Sequence, residues 1–252
     1  MTINDVEVAR RAAQAASEVL LGLRASGEFS GRELGDAGDA AAQRAILASL
    51  TADRPDDVVF SKEAVDDPRR LRADRVWIVD PLDGTREYGE APRHDWAVHV
   101  ALWEGGDLTA AAVALPGLDE ILLTEPAPKL PPRADGPVRV AVSRSRPPAE
   151  ATAVAEALGA ELVPLGSAGY KTVAVARGEV DAYVHSGGQY QWDSAAPVAI
   201  ARAAGLTTCR LDGSPLVYND PDPWLPDLIV CRPELADRIL AAVSSTNSEI
   251  IA

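Results

Sequence analysis

The sequence predicts a protein of two unlike halves, an α+β half followed by an α/β half. In the first half, two helical patterns precede a run of strands, which is typical of an α+β arrangement. After a proline-rich segment, short strands and helices alternate, which is typical of an α/β arrangement. With 252 residues, of which 47% are hydrophobic and 25% charged, the chain can form one large domain or two modest ones.

The first helix is predicted over residues 4–25. Asn4 and Glu7 form a capping-box-like pair at its start, and small and aliphatic side chains recur along one face. A second helix is expected to begin between Asp36 and Asp39, ahead of a further group of aliphatic side chains.

Strands are predicted next, because runs rich in β-branched and aromatic residues follow the second helix. Their expected bounds are 58–61, 75–80, 96–103, 108–115 and 119–124. The third and fourth strands should form a hairpin through the turn Gly105-Gly106-Asp107.

A domain boundary is predicted at residues 126–137, where five of twelve residues are proline. Such a segment is stiff and extended. It would join an α+β domain of residues 1–125 to an α/β domain of residues 138–252. In the second domain we expect strands at 138–142, 162–165 and 180–184, and helices at 150–158, from Ser167 and from Asp193.

The net charge of −14 argues against a nucleic acid or an anionic membrane as the main partner. No run approaches the roughly 18 apolar residues of a membrane span. Asp5 and Glu7 lie where a secretory signal would be basic and then apolar. Cys209 and Cys231 match no disulfide framework or metal spacing, so we expect a reduced cytoplasmic protein with both thiols in the core. His99 alternates with valines in a predicted strand, which favours a structural role.

Two carboxylates, Asp80 and Asp83, lie three residues apart where an apolar strand is expected to end. Pro81 should stop strand pairing and Asp83-Gly84 should turn the chain, so that both acids and the Leu82 carbonyl can point to one side. Hard cations such as Mg²⁺ bind oxygen sets of this kind. A hairpin is the alternative, and spacing alone favours it, because Asp-Gly between apolar runs is a strong hairpin signal.

A third carboxylate, Asp193, follows Asp83 by 110 residues and comes after the paired glycines Gly187 and Gly188. A helix cap is the plain interpretation of an acid at this position. The functional interpretation is a further metal ligand supplied by the second half, since clefts between domains often hold small-molecule sites.

Taken together, the stretches Trp77–Thr85 and Trp192–Ala196 resemble the paired motifs of the inositol monophosphatase superfamily. The closer resemblance is to its bacterial 3′-phosphoadenosine 5′-phosphate phosphatase branch of the CysQ type, especially the actinobacterial members. It extends from the first helix to the end of the chain. It implies a two-part sugar-phosphatase-type fold with alternating helix and sheet layers, a site in the cleft between the halves, and Mg²⁺-dependent phosphatase activity.

The resemblance also implies a metal centre of two or three Mg²⁺ ions, most of it in the first domain. Asp80 would bridge two ions, and the Leu82 carbonyl would complete one of the two sites. Asp83 and Asp193 would hold the other.

Further roles are implied for residues around this centre. Asp39 and Thr85 would position the attacking water, and the backbone around Gly84 and Thr85 would meet the phosphate. Ser167 and Lys171, one turn apart, would bind a second phosphate. A helix cap and a solvated surface charge are the respective alternatives for these last two residues.

The sequence departs from the family at Lys62, since the family presents a Glu-Glu pair where this chain has Lys62 and Glu63. The first glutamate of that pair is a metal ligand. An ammonium ~4 Å from a dication would be repelled by about 8 kcal/mol at an effective dielectric constant of ~20. Three outcomes are open: Lys62 turns outward and Glu63 becomes a ligand, the ammonium replaces one metal, or the chain binds its ligand with little turnover. An alignment error of one residue, with Lys62 solvated, is the plain alternative.

The leading hypothesis is hydrolysis of the 3′-phosphate of adenosine 3′,5′-bisphosphate to give AMP and phosphate. An inositol phosphate or a sugar bisphosphate is the alternative substrate, and a phosphate-binding protein with little turnover is the alternative class. Tyr170, Tyr190 and Trp192 would form a stacking surface for a nucleobase, unless they pack in the core. A homodimer is expected by analogy only.

Overall fold

The computed structural model describes residues 3–250, in which pairs of helices alternate with two β-sheets. The helices are α1 (Asp5–Ser26), α2 (Gly31–Asp53), α3 (Thr85–Gly89), α4 (Ala149–Leu158), α5 (Ala168–Ala176), α6 (Gln191–Ala203) and α7 (Ala236–Ile250). The strands are β1 (Val58–Ser61), β2 (Arg75–Asp83), β3 (Ala97–Glu104), β4 (Asp107–Leu115), β5 (Glu120–Leu123), β6 (Arg139–Ser143), β7 (Glu161–Leu165), β8 (Ala182–His185), β9 (Gln189–Tyr190), β10 (Thr207–Cys209), β11 (Trp224–Leu225) and β12 (Leu228–Cys231). Short 3₁₀ turns lie at Pro68–Arg72, Pro116–Leu118 and Pro233–Leu235.

The first sheet has the strand order β1-β2-β3-β4-β5, with β1 parallel to β2 and the remaining pairs antiparallel. The second sheet has the order β10-β12-β8-β6-β7. There, β6 runs parallel to β7 and β8, whereas β12 runs antiparallel to β8 and β10. A small antiparallel ribbon joins β9 to β11.

Alternation of side chains along the strands produces the layers, because successive residues of a strand face opposite sides of its sheet. In β2, Trp77 and Val79 pack with α1 and α2, whereas Val76 and Ile78 pack on the other face with α5 and α6. The second sheet covers the far side of α5 and α6, and α4 and α7 cover its outer face. The predicted fold of alternating helix and sheet layers is confirmed.

The start predicted for the second helix was wrong, since α2 begins at Gly31. Glycine has a low helix propensity, which hides the first turns of α2 in the sequence. In the structure the glycines serve close packing instead. A Cβ on Gly35 would lie 2.6 Å from Thr85 Cγ2, and one on Gly38 would lie 2.7 Å from Tyr88 Cε1.

The end predicted for the second strand was also wrong. Strand β2 continues through Pro81, and both Asp80 and Asp83 pair with β3 around a bulge that lies between them. Proline is tolerated at bulges because no ladder hydrogen bond is needed there. Gly84, with φ of 81°, then leads into α3, so the Asp-Gly hairpin interpretation was wrong.

Other local predictions are confirmed. Gly105 and Gly106, with φ of 61° and 99°, form the turn between β3 and β4. Asn4 caps α1 by accepting a hydrogen bond from the Glu7 N–H. Cys209 and Cys231 are free thiols buried in the core. The last strands and α7 had not been predicted.

The proline-rich segment 126–137 contains no helix or strand and connects β5 to β6. One hydrophobic cluster contains residues from both sides of it, such as Val113 and Val173. The division into domains 1–125 and 138–252 stays a prediction. Among residues 3–250, no helix combines the length and the apolar character needed to span a bilayer.

Candidate active site

A cavity of about 300 Å³ lies where the end of β2 meets α5, α6 and the β9–β11 ribbon. Asp83 lines it from the first half of the chain, and Lys171 and Asp193 line it from the second. Tyr190 and Trp224 form part of its wall. Three of the predicted site residues, from both halves of the chain, thus meet at one cavity.

Three carboxylates converge here, of which Asp83 and Asp193 line the cavity. Asp80, Asp83 and Asp193 each contribute one oxygen, and these oxygens lie within 4.8 Å of one another. Asp80 Oδ2 is buried and has no hydrogen-bond partner among the described residues. Oxygen donors arranged in this way fit a hard divalent cation, which would offset their mutual repulsion.

Hydrogen bonds fix the orientation of two of these acids. Asp80 Oδ1 accepts from the Leu82 N–H at 3.1 Å. Asp83 Oδ2 accepts from the Ser167 hydroxyl and from the Gly169 N–H, the latter at 2.6 Å. Helix α5 therefore holds Asp83 in place from the second half of the chain.

Asp193 is both a helix-capping residue and a member of the acidic cluster. It lies at the third position of α6, and its Oδ2 accepts from the Tyr190 N–H at 2.7 Å. The plain and the functional interpretations of Asp193 thus describe the same side chain.

The environment shifts the pKa values of the three acids in different directions. Burial raises the pKa of Asp80 against the opposing charge of Lys62, and burial together with Asp80 and Asp83 raises the pKa of Asp193. Burial also raises the pKa of Asp83, but His99, Ser167 and the helix N–H outweigh it, so the pKa of Asp83 lies below its ordinary value. Asp83 is therefore the acid most readily kept ionised.

His99 is a site neighbour that sequence reasoning missed. Its ring is fully buried, with Nε2 3.6 Å from Asp83 Oδ2 and Nδ1 3.2 Å from the Trp192 carbonyl oxygen. His99 stands opposite Asp80 in the β2–β3 pair. The strand register decides this position, and the valine-flanked pattern alone carries no signal for it.

Lys62 points into the site, in contrast to the outcome in which it turns outward. Its Nζ lies 2.7 Å from the Leu82 carbonyl oxygen and 3.0 Å from Asp39 Oδ1. The same atom lies 3.3 Å from both Asp80 Oδ1 and Thr85 Oγ1. The ammonium thus occupies the position that the Leu82 carbonyl and Asp80 would offer to a metal.

The electrostatics keep Lys62 charged. Burial lowers its pKa, but Asp80 and Asp39 outweigh burial and raise it. Burial also raises the pKa of Asp39 to about 6, against the opposing effect of Lys62. Glu63 is exposed and lies outside the cluster of three acids.

The two residues expected to position water lie in contact with each other. Thr85 Oγ1 is 3.0 Å from Asp39 Oδ2 and 3.1 Å from the Leu82 carbonyl oxygen. Gly84 lies beside them, and a Cβ there would stand 3.0 Å from the Ser167 Cβ. The lack of a side chain at Gly84 lets the two halves of the chain approach closely at the site.

The alternatives for Ser167 and Lys171 have different outcomes. Ser167 does cap α5, accepting from the Tyr170 N–H at 2.9 Å, in addition to its contact with Asp83. The surface-charge alternative for Lys171 was wrong, because this side chain is buried at the cavity wall. Its Nζ donates to the carbonyl oxygens of Gly166 and Ser167, and burial lowers its pKa to about 8.

An aromatic group borders the cavity. Tyr190 stacks on Trp192 with ring centroids 4.7 Å apart, and its ring meets Trp224 edge-on at 5.4 Å. Tyr190 and Trp224 are 42% and 45% exposed. Tyr170 is only 2% exposed and packs in the core, so its assignment to this surface was wrong. Trp224 was missed because the β9–β11 pairing, which brings it here, had not been predicted.

Comparison with known proteins places the whole chain in one family. Residues 1–248 match the inositol monophosphatase family. The chain belongs to this family. A 3′-phosphoadenosine 5′-phosphate phosphatase of Mycobacterium bovis is 48% identical over 238 residues, which cover 91% of this chain and 89% of that protein. One of Mycobacterium leprae is 47% identical over 254 residues, covering 96% and 94%.

Solved structures of the inositol monophosphatase family share the fold. The crystal structure of CysQ from Bacteroides thetaiotaomicron has a TM-score of 0.77 and 27% identity, covering 90% of this chain and 97% of that one. The family depends on Mg²⁺, and the cluster of Asp80, Asp83 and Asp193 fits one such ion. The neighbouring position at the Leu82 carbonyl does not fit a further ion, because the Lys62 ammonium fills it.

Proposed function

We propose that this protein removes the 3′-phosphate of adenosine 3′,5′-bisphosphate and releases AMP and phosphate. The observation that carries the proposal is the cluster of Asp80, Asp83 and Asp193, two of which line one cavity together with the buried Lys171. The inositol monophosphatase fold supports the reaction class. Relatives of 47–48% identity, named as 3′-phosphoadenosine 5′-phosphate phosphatases, support the substrate.

At the scissile phosphate, the three acids would hold Mg²⁺, and a second pair of residues would orient the attacking water. Mg²⁺ held by Asp80, Asp83 and Asp193 would supply charge stabilisation to the phosphoryl oxygens. Asp39 and Thr85, already in contact, would orient the attacking water.

Lys171 would bind the second phosphate of the substrate. The chain carries a net charge of −14, so an anionic substrate needs local cations to offset the repulsion. Lys171 brings such a charge to the cavity wall, where it is buried and held by two carbonyl oxygens. A substrate with a single phosphate would leave this contact unused.

The exposed faces of Tyr190 and Trp224 favour a nucleotide over an inositol phosphate. Both rings line the cavity that contains Asp83 and Asp193. Aromatic faces bind nucleobases by stacking, whereas an inositol or sugar ring has no base to stack. These two exposed rings support adenosine 3′,5′-bisphosphate as the substrate.

Phosphate release from the purified protein with Mg²⁺ tests the proposal. Adenosine 3′,5′-bisphosphate should be hydrolysed with a higher kcat/KM than inositol 1-phosphate, fructose 1,6-bisphosphate or 5′-AMP. Asp193→Asn serves as the inactive control. A higher kcat/KM for the inositol or sugar phosphate would replace the substrate, and binding of the bisphosphate without release of phosphate would indicate a binding protein.

A further inference from the structure

The Lys62 ammonium is enclosed by oxygens from three separate elements. Asp39 belongs to α2, Asp80 and Leu82 belong to β2, and Thr85 begins α3. All four oxygens lie 2.7–3.3 Å from Nζ. An ammonium has three donors, so this shell uses its whole capacity. Holding a flexible lysine in one geometry costs side-chain entropy, and the converging oxygens offset that cost.

Asp80 faces two cation positions with its two oxygens. Oδ1 accepts hydrogen bonds from the Lys62 ammonium and from the Leu82 N–H. Oδ2 has no hydrogen-bond partner among the described residues, and Asp80 is a member of the acidic cluster with Asp83 and Asp193. The chain itself therefore supplies the partners of Oδ1, and Oδ2 remains available to a metal ion.

With Lys62 and one dication the four ionised acids keep a net charge of −1, and a second dication would make the site net positive, at +1. Asp39, Asp80, Asp83 and Asp193 supply four negative charges when ionised. The Lys62 ammonium and one dication together supply three positive charges. A second dication at the Leu82 carbonyl would have to stand where Nζ lies, 2.7 Å from that oxygen, and the ammonium would repel it.

We propose that Lys62 is a built-in cation that takes the place of one metal ion, so that the site binds a single Mg²⁺ at Asp80, Asp83 and Asp193. The metal count follows from the geometry, and the part that it plays in turnover rests on the proposed phosphatase function. Lys62 also holds Asp39 and Thr85 in position whether or not metal is bound, since it contacts both directly.

A count of bound metal tests the proposal without reference to activity. Mn²⁺, a hard cation with similar oxygen ligands, is titrated onto the metal-free protein while its free signal is followed by electron paramagnetic resonance. The wild type should bind one Mn²⁺ per chain and Lys62→Glu should bind two. Two or more tight sites in the wild type would overturn the proposal.

Glu63→Gln is the matched control at the adjacent position. Glu63 is exposed and outside the acidic cluster, so this variant should still bind one Mn²⁺. Loss of that ion would make Glu63 a ligand and would overturn the role given to Lys62.

Thermal unfolding in EDTA and in Mg²⁺ provides a second readout. Lys62→Glu places an additional carboxylate beside Asp39 and Asp80, so its Tm in EDTA should be below that of the wild type and its gain on adding Mg²⁺ should be larger. If that variant does not fold without metal, Lys62→Gln takes its place, with a Tm in EDTA that is again below the wild-type value. A Tm in EDTA that is unchanged or higher in the folded variant would overturn the proposal.

The same wild-type samples separate this proposal from the proposed function. Phosphate release from adenosine 3′,5′-bisphosphate by a protein with two Mn²⁺ per chain would overturn the metal replacement and retain the phosphatase. One Mn²⁺ per chain without phosphate release from any substrate of the panel would retain the metal replacement and overturn the phosphatase.

Discussion

Gly35 of α2 packs against Thr85 of α3 so closely that a Cβ on Gly35 would stand 2.6 Å from Thr85 Cγ2 and 3.3 Å from the Thr85 carbonyl oxygen. Asp39, one helical turn further along α2, contacts the hydroxyl of the same threonine. Helix α2 thus contacts Thr85 at two positions that are one helical turn apart. The glycine allows the close contact between Asp39 and Thr85, the two residues proposed to position the attacking water.

Gly35→Ala should therefore reduce kcat roughly tenfold to a hundredfold, because the added methyl group displaces Thr85 and small misplacements at an active site are costly. Gly22→Ala in α1 is the control, since nothing lies within 4 Å of a Cβ there. That change should raise the free energy of unfolding by about 0.5–1 kcal/mol and leave kcat unchanged. Steady-state kinetics and urea unfolding check both variants, and a wild-type kcat in Gly35→Ala would contradict the tight contact.

Asp83→Asn and Asp193→Asn should each abolish phosphate release and the gain in Tm on adding Mg²⁺, because each removes a charged oxygen from the metal cluster. In Asp193→Asn the amide oxygen can still accept from the Tyr190 N–H, so α6 should keep its cap. Asp237→Asn, at an exposed position in the first turn of α7, is the control and should behave like the wild type. EDTA should abolish wild-type activity and excess Mg²⁺ should restore it. A Mg²⁺-dependent gain in Tm in either cluster variant would remove that residue from the metal site.

Titration of Lys171 should make kcat/KM fall on the alkaline side of the pH profile. Burial lowers the pKa of Lys171 to about 8, so its ammonium is charged below that pH and neutral above it. If the charge binds the second phosphate, kcat/KM for adenosine 3′,5′-bisphosphate should fall as pH rises through about 8, because kcat/KM reports groups of the free enzyme. Lys171→Met should have a low kcat/KM at every pH and should not show this fall near pH 8. If kcat/KM of that variant falls in the same way, the titration belongs to another group.

The aromatic wall should distinguish nucleotides from other phosphates. Tyr190→Ala and Trp224→Ala each remove an exposed ring from the cavity. Each should raise KM for adenosine 3′,5′-bisphosphate by roughly five- to a hundredfold, corresponding to about 1–3 kcal/mol of stacking per base. KM for inositol 1-phosphate should not change. Tyr190→Phe keeps the ring and should have a near-normal KM; equal losses with both substrates would exclude base stacking.

Two neighbouring arginines should differ sharply in their contribution to stability. Arg70 is fully buried, lies over the Phe60 ring at 4.1 Å and donates to Asp66 and to the loop at 219–221. Arg70→Met should lower the free energy of unfolding by about 1–3 kcal/mol, because it leaves the buried Asn219 amide oxygen without this donor. Arg69 is exposed and pairs only with Asp67 among the described residues, so Arg69→Met should unfold at the wild-type urea concentration. Equal midpoints for the two variants would contradict this role of Arg70.

Much of the fold could be predicted because most elements carry their own local signals. The capping pair of α1, the glycine turn between β3 and β4, and the alternation of strands and helices after residue 137 all correspond to the structure within a few residues. The errors lie where tertiary packing overrides local preference. Glycines stand inside α2 because another element approaches closely, and Pro81 stands inside β2 because a bulge removes the need for its N–H.

By itself, the sequence determined the family-like motifs, the identity of the acids, and the presence of lysine where a glutamate was expected. Chemistry of this kind is encoded residue by residue, so it is visible without coordinates. Only the tertiary structure decided that Lys62 points inward at the Leu82 carbonyl, that His99 lies beside Asp83, and that Trp224 borders the cavity. These outcomes depend on strand register and on packing between distant segments, and the balance of burial against charge at Lys62 arises only when the chain has folded.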